Sequence, residues 1–264
     1  MGYSDKRPVS WDGLPKCAWI TGAGKGIGRG LAERLASRGW TVYASARTSD
    51  DLDDLARAAG DAPGKIIPLR LDITDRKACA AAVDRIVACG QPLGLAVLNA
   101  GTHTPTPVEG FDAETVGGLI ETNLIGTVNC LAPVMKLLTH QGCGHIAIVA
   151  SVAGYRGLPR ASAYSGSKAG VIAMCEALYP ELVRKGVGIS VINPGFVKTP
   201  LTDRNTFEMP CLISVEEAVD AMVAGLKQGR FEIAFPTRFV LFMRLLRALP
   251  YRVYFRVTGK ILDR

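Results

Sequence analysis

A glycine-rich turn near the start of the chain is the feature that most limits its fold. The turn runs from Thr21 to Gly28 as TGAGKGIG, directly after the apolar run 16–21 and before the helix-like segment 26–38. Glycines let a backbone turn tightly and approach a pyrophosphate, which then faces the positive end of the following helix. A plain tight turn is the alternative, but the order of strand, glycines and helix favours a dinucleotide-binding fold.

Short apolar runs and longer helix-like segments alternate along the rest of the chain. This alternation predicts an α/β fold, a single Rossmann-type doubly wound parallel sheet of about seven strands with helices on both faces. We expect one domain over 1–264, in which 200–264 supplies a substrate-side loop, the last strand and a basic amphipathic tail. Strands are predicted at 16–21, 40–46, 65–71, 94–98, 145–150, 187–192 and 231–235, and helices at 26–38, 50–59, 75–89, 113–140 and 161–185.

Composition argues against several other classes of protein. No apolar run reaches the roughly 18 residues of a membrane span, and residues 1–15 lack the apolar segment of a secretory signal, so a cytoplasmic location is expected. The seven cysteines contain no C-x-x-C pair and are expected to be reduced and mostly buried. The three histidines lack metal-ligand spacing, so no metal is expected. No nucleic-acid-binding motif accompanies the net charge of +7.

Ser151, Tyr164 and Lys168 form the candidate catalytic group. Ser151 follows the predicted strand 145–150, while Tyr164 and Lys168 lie four residues apart in a predicted helix and therefore share one face. A free tyrosine has a pKa near ~10, and a neighbouring ammonium group lowers that pKa by favouring the phenolate. A serine hydroxyl can stabilise charge that develops on a substrate oxygen. A lone Y-x-x-x-K is usually an exposed helix face, but the motifs that precede it here favour catalysis.

The ordered set of motifs resembles that of the short-chain dehydrogenase/reductase family over about residues 16–200. It comprises the T-G-x-x-x-G-x-G spacing of the turn, the N-A-G element at 99–101, the step from Ser151 to Tyr164 and the P-G-x-x-x-T stretch 194–199. The resemblance implies that Asn123 is a fourth catalytic residue, in a proton relay; a buried asparagine that ties helix backbone together is the alternative. It also implies that Asp72 contacts adenine, and an N-cap of the next helix is an equal alternative.

The end of the second predicted strand favours NADP(H) as the cofactor. NAD-dependent proteins of this type usually carry an acidic residue there, which binds the ribose hydroxyls. Here the strand ends at Ala46, and the next residue, Arg47, can pair with a 2′-phosphate, with Lys25 as a second positive charge. Asp50 and Asp51 are rival acids that lie past the strand end, and solvated surface charge is the alternative for both basic residues. The predicted cofactor-binding residues are Thr21, Gly22, Gly24, Lys25, Gly26, Ile27, Gly28, Arg47, Asp72, Asn99, Ala100, Gly101, Tyr164, Lys168, Pro194, Gly195, Val197 and Thr199.

The predicted function is NADP(H)-dependent interconversion of a ketone or aldehyde and an alcohol, with a lipophilic substrate. In this hypothesis Tyr164 exchanges the proton, Lys168 lowers the pKa of Tyr164 and holds the ribose, and Ser151 polarises the substrate oxygen. Asn123 orders a relay water. An NADP(H)-binding redox sensor or scaffold without turnover is the alternative. Segments 152–160 and 200–215 are expected to form the substrate walls. The resemblance implies a homo-oligomer, a dimer or tetramer, although Pro180 is predicted to kink or break the helix that carries Tyr164.

The C-terminal segment carries nearly all of the excess positive charge. Residues 237–264 contain seven basic side chains and one acidic one, a net charge of +6. Over 238–249 the pattern predicts an amphipathic helix, broken at Pro250, with an apolar face made of Phe239, Phe242, Met243 and Leu246. A lid over the substrate pocket or a subunit contact is one interpretation. Peripheral contact with an anionic membrane is the other.

Overall fold

Seven parallel strands form the sheet that the sequence predicts. The computed structural model describes residues 10–204 and 209–262. The strand order is β3-β2-β1-β4-β5-β6-β7, so the direction of winding reverses between β1 and β4. Each predicted strand is confirmed with ends shifted by at most two residues. The strands are β1 (Cys17–Thr21), β2 (Thr41–Ala46), β3 (Lys65–Arg70), β4 (Leu95–Leu98), β5 (His145–Val149), β6 (Gly188–Pro194) and β7 (Glu232–Phe235).

Helices cover both faces of the sheet. Side chains alternate along each strand and therefore pack into two hydrophobic cores, one on each face. In β1, Cys17 and Trp19 pack into the core on one face, whereas Ala18 and Ile20 pack into the core on the other. Successive strand residues point to opposite faces, so a strand between two helix layers is apolar throughout. The helices are α1 (Gly26–Ala36), α2 (Ser49–Ala58), α3 (Arg76–Ala88), α4 (Ala113–Ile120), α5 (Gly126–Gln141), α6 (Ser162–Arg184), α7 (Val215–Lys227), α8 (Thr237–Ala248) and α9 (Tyr251–Leu262).

Two long predicted helices differ in detail from the structure. The segment 113–140 is not one α-helix, because a π-helical turn at Glu121–Ile125 separates α4 from α5. Of the two effects predicted for Pro180, the break was wrong, since α6 continues to Arg184 with this proline inside it, and the kink stays a prediction. Pro180 and Glu176, whose carbonyl loses its i+4 partner, both lie on the exposed side of the helix. Water can therefore satisfy that carbonyl, which reduces the cost of the proline.

The C-terminal third contains helices that the sequence did not predict. Helix α7 lies where only a loop was expected, and it begins with a capping box between Ser214 and Glu217. Helix α8 matches the predicted segment 238–249, but its buried face contains Val240 instead of Phe242, which is half exposed. After Pro250 the chain forms a second helix, α9. No helix within 10–204 and 209–262 combines the length and the hydrophobicity needed to span a bilayer.

Some predictions concern residues outside the described ranges. These are the absence of a secretory signal at the N-terminus, part of the expected substrate wall at 205–208, and the charges of Asp263 and Arg264. The seven cysteines are all free, and Cys17, Cys79, Cys130 and Cys175 are buried.

Candidate active site

The glycine turn forms a bare backbone concavity between the end of β1 and the start of α1. Gly22 and Gly26 have φ angles of +66° and +56°, which glycine adopts without steric cost. Gly28 is packed so closely that a Cβ atom would lie 2.3 Å from the carbonyl oxygen of Gly22 and 2.5 Å from Nδ2 of Asn99. A side chain is therefore excluded at Gly28 in the first turn of α1, and this close backbone packing fits the pyrophosphate of a dinucleotide.

The N-A-G element fixes this turn to the end of β4. The backbone N–H groups of Asn99 and Ala100 donate to Oγ1 of Thr21, over 3.0 and 3.1 Å. The side-chain amide of Asn99 donates in turn to the carbonyl oxygens of Thr21 and Gly22. These bonds hold the two strand ends together at the point where the winding of the sheet reverses, which is where ligands bind in such sheets.

Basic and acidic side chains meet where the turn approaches the end of β2. Nζ of Lys25 lies 3.3 Å from a carboxylate oxygen of Asp51, and a Cβ on Gly24 would touch the side chain of Asp51 at 3.0 Å. Arg47 is exposed beside them. Asp51 is therefore at the turn despite its position past the strand end, and it offsets part of the positive charge that Lys25 brings.

Asp72 follows β3 at the same edge of the sheet, and it does not cap helix α3. Its Oδ1 accepts hydrogen bonds from the backbone N–H and the hydroxyl of Thr74, at 3.0 and 2.8 Å. These bonds, led by the backbone N–H, and the positive charge of Arg47 lower the pKa of Asp72. The N-cap of α3 is Asp75. The capping alternative for Asp72 was therefore wrong, while its contact with adenine stays a prediction.

Ser151, Tyr164 and Lys168 come together at the carboxyl ends of β5 and β6. Ser151 directly follows β5, and its Oγ accepts a hydrogen bond from the backbone N–H of Ala153 at 3.1 Å. Nζ of Lys168 donates to the carbonyl oxygen of Val149 at 2.9 Å and lies 5.8 Å from the centre of the Tyr164 ring. The first turns of α6 thus aim the phenol and the ammonium group at the end of the sheet.

Burial dominates the titration of this group. It lowers the pKa of Lys168 from 10.5 to about 8, so the ammonium form persists at neutral pH by a narrow margin. Burial raises the pKa of Tyr164, and the hydrogen bond with Ser151 opposes that rise. The ring of His103 packs edge-on against the Tyr164 ring, 4.7 Å between centres, which adds to its enclosure. Without cofactor, the phenol of Tyr164 therefore holds its proton firmly, and the direction of the pKa shift is opposite to the lowering by Lys168 that the sequence predicted.

Asn123 lies in the π-helical turn and is fully buried. Its side-chain oxygen accepts from the backbone N–H of Thr102 at 2.8 Å, and its amide donates to the carbonyl oxygen of Thr102 at 2.9 Å. The amide also donates to Oγ of Ser167 at 3.3 Å. The side chain thereby joins the loop after β4 to helix α6 instead of tying its own helix together. Its role in a proton relay stays a prediction.

A cleft of about 560 Å³ runs along these strand ends. The segment 194–199 closes one side of it, and Thr202 stabilises that segment by bonding the backbone of Val197 and Thr199. Ten of the predicted catalytic and cofactor-binding residues line the cleft, whereas Lys25 in the glycine turn, Arg47 after β2 and Asp72 after β3 do not. The ten are Ile27, Asn99, Gly101, Ser151, Tyr164, Lys168, Pro194, Gly195, Val197 and Thr199. Thr102, Val149 and Ala150, which were not predicted, also line the cleft, as do Leu201 and Thr202 from the expected substrate wall 200–215.

A second, larger cavity of about 1080 Å³ adjoins the first, and Ser151 and Tyr164 line both. Its walls include part of the predicted segment 152–160 and only Leu201 and Thr202 from 200–215. His103 was not singled out in the sequence, and Phe196 lies inside the predicted stretch 194–199 without having been assigned to a wall. Phe239 was assigned to the apolar face of the tail helix, for which a lid over the substrate pocket was one interpretation, and it lines this cavity. The wall residues that were not predicted for any site are His103, Pro105, Ala161 and Phe196, while Gly195 was predicted as a cofactor-binding residue.

The chain belongs to the short-chain dehydrogenase family, whose sequence profile matches residues 16–209. An uncharacterized oxidoreductase of Myxococcus xanthus is 37% identical over 89% of this chain and 93% of its own length. The 3-oxoacyl-[acyl-carrier-protein] reductase FabG of Thermotoga maritima is 32% identical over 82% of this chain and 84% of its own length. Family membership makes the chain an alcohol/carbonyl oxidoreductase by class.

Solved structures support the same fold. A short chain dehydrogenase of Burkholderia cenocepacia in complex with NADP superimposes with a TM-score of 0.78 and 31% identity, over 91% of this chain and 96% of that one. A short chain dehydrogenase/reductase of Burkholderia phymatum in complex with NAD gives 0.80 at 24% identity, over 88% and 92%, and shows the shared fold. Structures of this fold thus include complexes with NADP and with NAD.

Proposed function

We propose that this protein is an NADP(H)-dependent reductase that interconverts a carbonyl compound and an alcohol, with Ser151, Tyr164 and Lys168 as its catalytic group. The observation that carries the proposal is that Ser151 and Tyr164 line both cavities. One cavity adjoins the glycine turn, and the other opens among apolar side chains. Tyr164 on this shared wall can therefore contact a substrate in the larger cavity and a cofactor in the cleft beside the glycine turn.

The protonation states favour Tyr164 as a proton donor. Its raised pKa keeps the phenol protonated until a substrate oxygen gains negative charge, when transfer becomes favourable. Oγ of Ser151 accepts from the N–H of Ala153 and donates to the carbonyl oxygen of Pro194 over a long 3.4 Å. We expect the substrate oxygen to replace Pro194 as the acceptor of this weak hydrogen bond. The ammonium group of Lys168 favours the phenolate that remains. When bound, the nicotinamide supplies or accepts the hydride.

The larger cavity supports a lipophilic carbonyl substrate. Most of its wall is aliphatic or aromatic and includes Leu158, Phe196 and Phe239. Such surface excludes water and stabilises apolar groups of a ligand. The polar atoms of Ser151 and Tyr164 then define the position of the reacting oxygen. The FabG relative by its name reduces a 3-oxoacyl group, which also joins a carbonyl to an aliphatic chain.

The preference for NADP(H) rests on Arg47 and is limited by Asp51. The exposed guanidinium of Arg47 follows β2 at the place where the ribose of a dinucleotide lies in this fold. Asp51 pairs with Lys25, and its negative charge disfavours the binding of the 2′-phosphate of NADP(H) nearby. We expect Arg47→Ala to weaken NADPH binding more than NADH binding, and Asp51→Asn to strengthen NADPH binding. Titration of both cofactors measures this, and equal or tighter NADH binding by the wild-type protein would contradict the preference.

The catalytic assignment is tested with Tyr164→Phe. Because this change removes only the hydroxyl, turnover should fall by at least about a hundredfold while NADPH binds within about twofold of wild type. Tyr179→Phe, an exposed position on the same helix, is the matched control. A panel of ketones and aldehydes followed by NADPH absorbance gives the rates. Undiminished turnover by Tyr164→Phe would refute the assignment, and a wild-type protein that binds NADPH yet reduces none of the panel would favour the sensor or scaffold.

A further inference from the structure

The two C-terminal helices present an unusual amount of exposed apolar surface. Sixteen large apolar side chains are exposed in the described part of the chain, and half of them fall within the short stretch 241–262. On α8 they include Leu241 and Leu245, which are 59% and 62% exposed, and on α9 Phe255 at 61%. Such clustering on a surface indicates a binding partner, because single exposed apolar residues are normal but contiguous ones are not.

Positive charge surrounds these apolar side chains. Residues 237–262 carry six basic side chains and no acidic one. Arg244 is neutralised by an ion pair with Glu232, and within the described residues the other five have no acidic partner. On α9 the positions of Arg252, Arg256 and Lys260 follow one helical face, and aromatic or aliphatic residues flank it. This is the pattern of a helix that lies in the plane of a lipid surface.

The tail is fixed to the body of the protein, so this surface is presented in a defined orientation. The guanidinium of Arg156 donates to the carbonyl oxygens of Leu246, Arg247 and Leu249 at the end of α8. It also stacks on the ring of Tyr254, 3.9 Å from the ring centre. Since Arg156 lies in the loop after Ser151, this contact joins the tail to the rim of the substrate cavity. Phe239 of α8 lines that cavity.

We propose that helices α8 and α9 form an interfacial element that binds the protein to an anionic lipid surface beside the mouth of the substrate cavity. A second copy of the chain is the less favourable occupant, because a two-fold contact would bring the same basic surface against itself. Anionic headgroups instead complement the arginines, while Phe255 and its neighbours enter the boundary of the acyl chains.

The charge requirement is tested by co-sedimentation of the full chain with vesicles. We expect binding to phosphatidylcholine vesicles that contain phosphatidylserine at low salt, and little binding to phosphatidylcholine alone. Each arginine near such a surface contributes roughly a fivefold increase in partitioning, so Arg252→Gln with Arg256→Gln should weaken it about 25-fold. Arg38→Gln with Lys227→Gln removes the same charge at exposed positions that precede β2 and β7, near the amino ends of the strands, whereas α8 follows the carboxyl end of β7. This pair should leave binding unchanged. Vesicle binding that does not decrease with salt concentration, or that decreases equally in the two double variants, would overturn the proposal.

The requirement for apolar side chains is tested with Leu245→Ser and Phe255→Ser. Both side chains are exposed, so their removal leaves no cavity in the hydrophobic core. Val108→Ser, at a position 90% exposed outside the tail, is the matched control. We expect the two tail variants to lose vesicle binding and the control to keep it. Sedimentation velocity without lipid examines the second-copy alternative. A wild-type oligomer that the tail variants dissociate, or no vesicle binding at low salt, would overturn the lipid proposal.

Discussion

Replacement of Lys168 by methionine should change the pH dependence of stability in a calculable way. Lys168 is 4% exposed, and burial lowers its pKa from 10.5 to about 8. Between these two values the unfolded chain binds more protons than the folded chain, so the free energy of unfolding rises with pH. Each unit of pKa corresponds to about 1.36 kcal/mol. The full shift therefore means that the buried ammonium costs about 3 kcal/mol at neutral pH.

The measurement compares wild type with Lys168→Met by denaturant unfolding without cofactor at pH 7 and pH 10. Wild type should gain about 2.5 kcal/mol relative to the variant over this interval, most of the full shift. Contributions from other titrating groups cancel in the difference, and so does the pH-independent loss of the hydrogen bond to Val149. The same difference measured in a Tyr164→Phe background controls for coupling to the phenol. A difference that does not change with pH would refute the buried-ammonium argument, whatever happens to turnover.

Two further predictions concern other buried positions. Burial lowers the pKa of His145 from 6.5 to about 4, so stability is lost as pH falls from 6.5 towards 4. His145→Gln, which keeps a donor for Ser190, should remove roughly 2 kcal/mol of the loss measured between pH 7 and pH 4.5; an unchanged acid midpoint would contradict this. Gly28→Ala should abolish measurable NADPH binding because its Cβ would clash with the carbonyl of Gly22. Normal NADPH binding by Gly28→Ala would contradict this prediction and would show that the turn can relax. The control is Gly118→Ala, in open space on α4, which should stabilise the chain by about 0.5–1 kcal/mol.

The sheet was predictable because its signals are local. A fully apolar strand between two helix layers needs no distant information, and all seven strands were found within two residues of their ends. The glycine turn and the helical spacing of Tyr164 and Lys168 are local patterns of the same kind. Helix α7 was missed even though Ser214 and Glu217 carry a capping-box signal that precedes an apolar periodicity.

The tertiary structure decided what depends on contacts between distant segments. The sequence shows that Lys168 follows Tyr164 by four residues, but only folding reveals that burial lowers the pKa of Lys168 and raises that of Tyr164. Asp51 lies past the end of its strand in sequence and yet reaches Lys25, because α2 begins beside the glycine turn.

The same reasoning applies to the tail and the substrate cavity. The helical period of α8 shows which side chains share a face. Whether each of these side chains is buried depends on which other segments of the chain pack against that face. Phe242 is therefore half exposed and Val240 is buried, and Phe239 lines a cavity that also takes residues from the loops after β4, β5 and β6. Strands and turns follow from short-range sterics and hydrophobic pattern, which the sequence contains directly. Titration, charge pairing and cavity walls follow from the positions of groups far apart in the chain, and only the folded structure sets those positions.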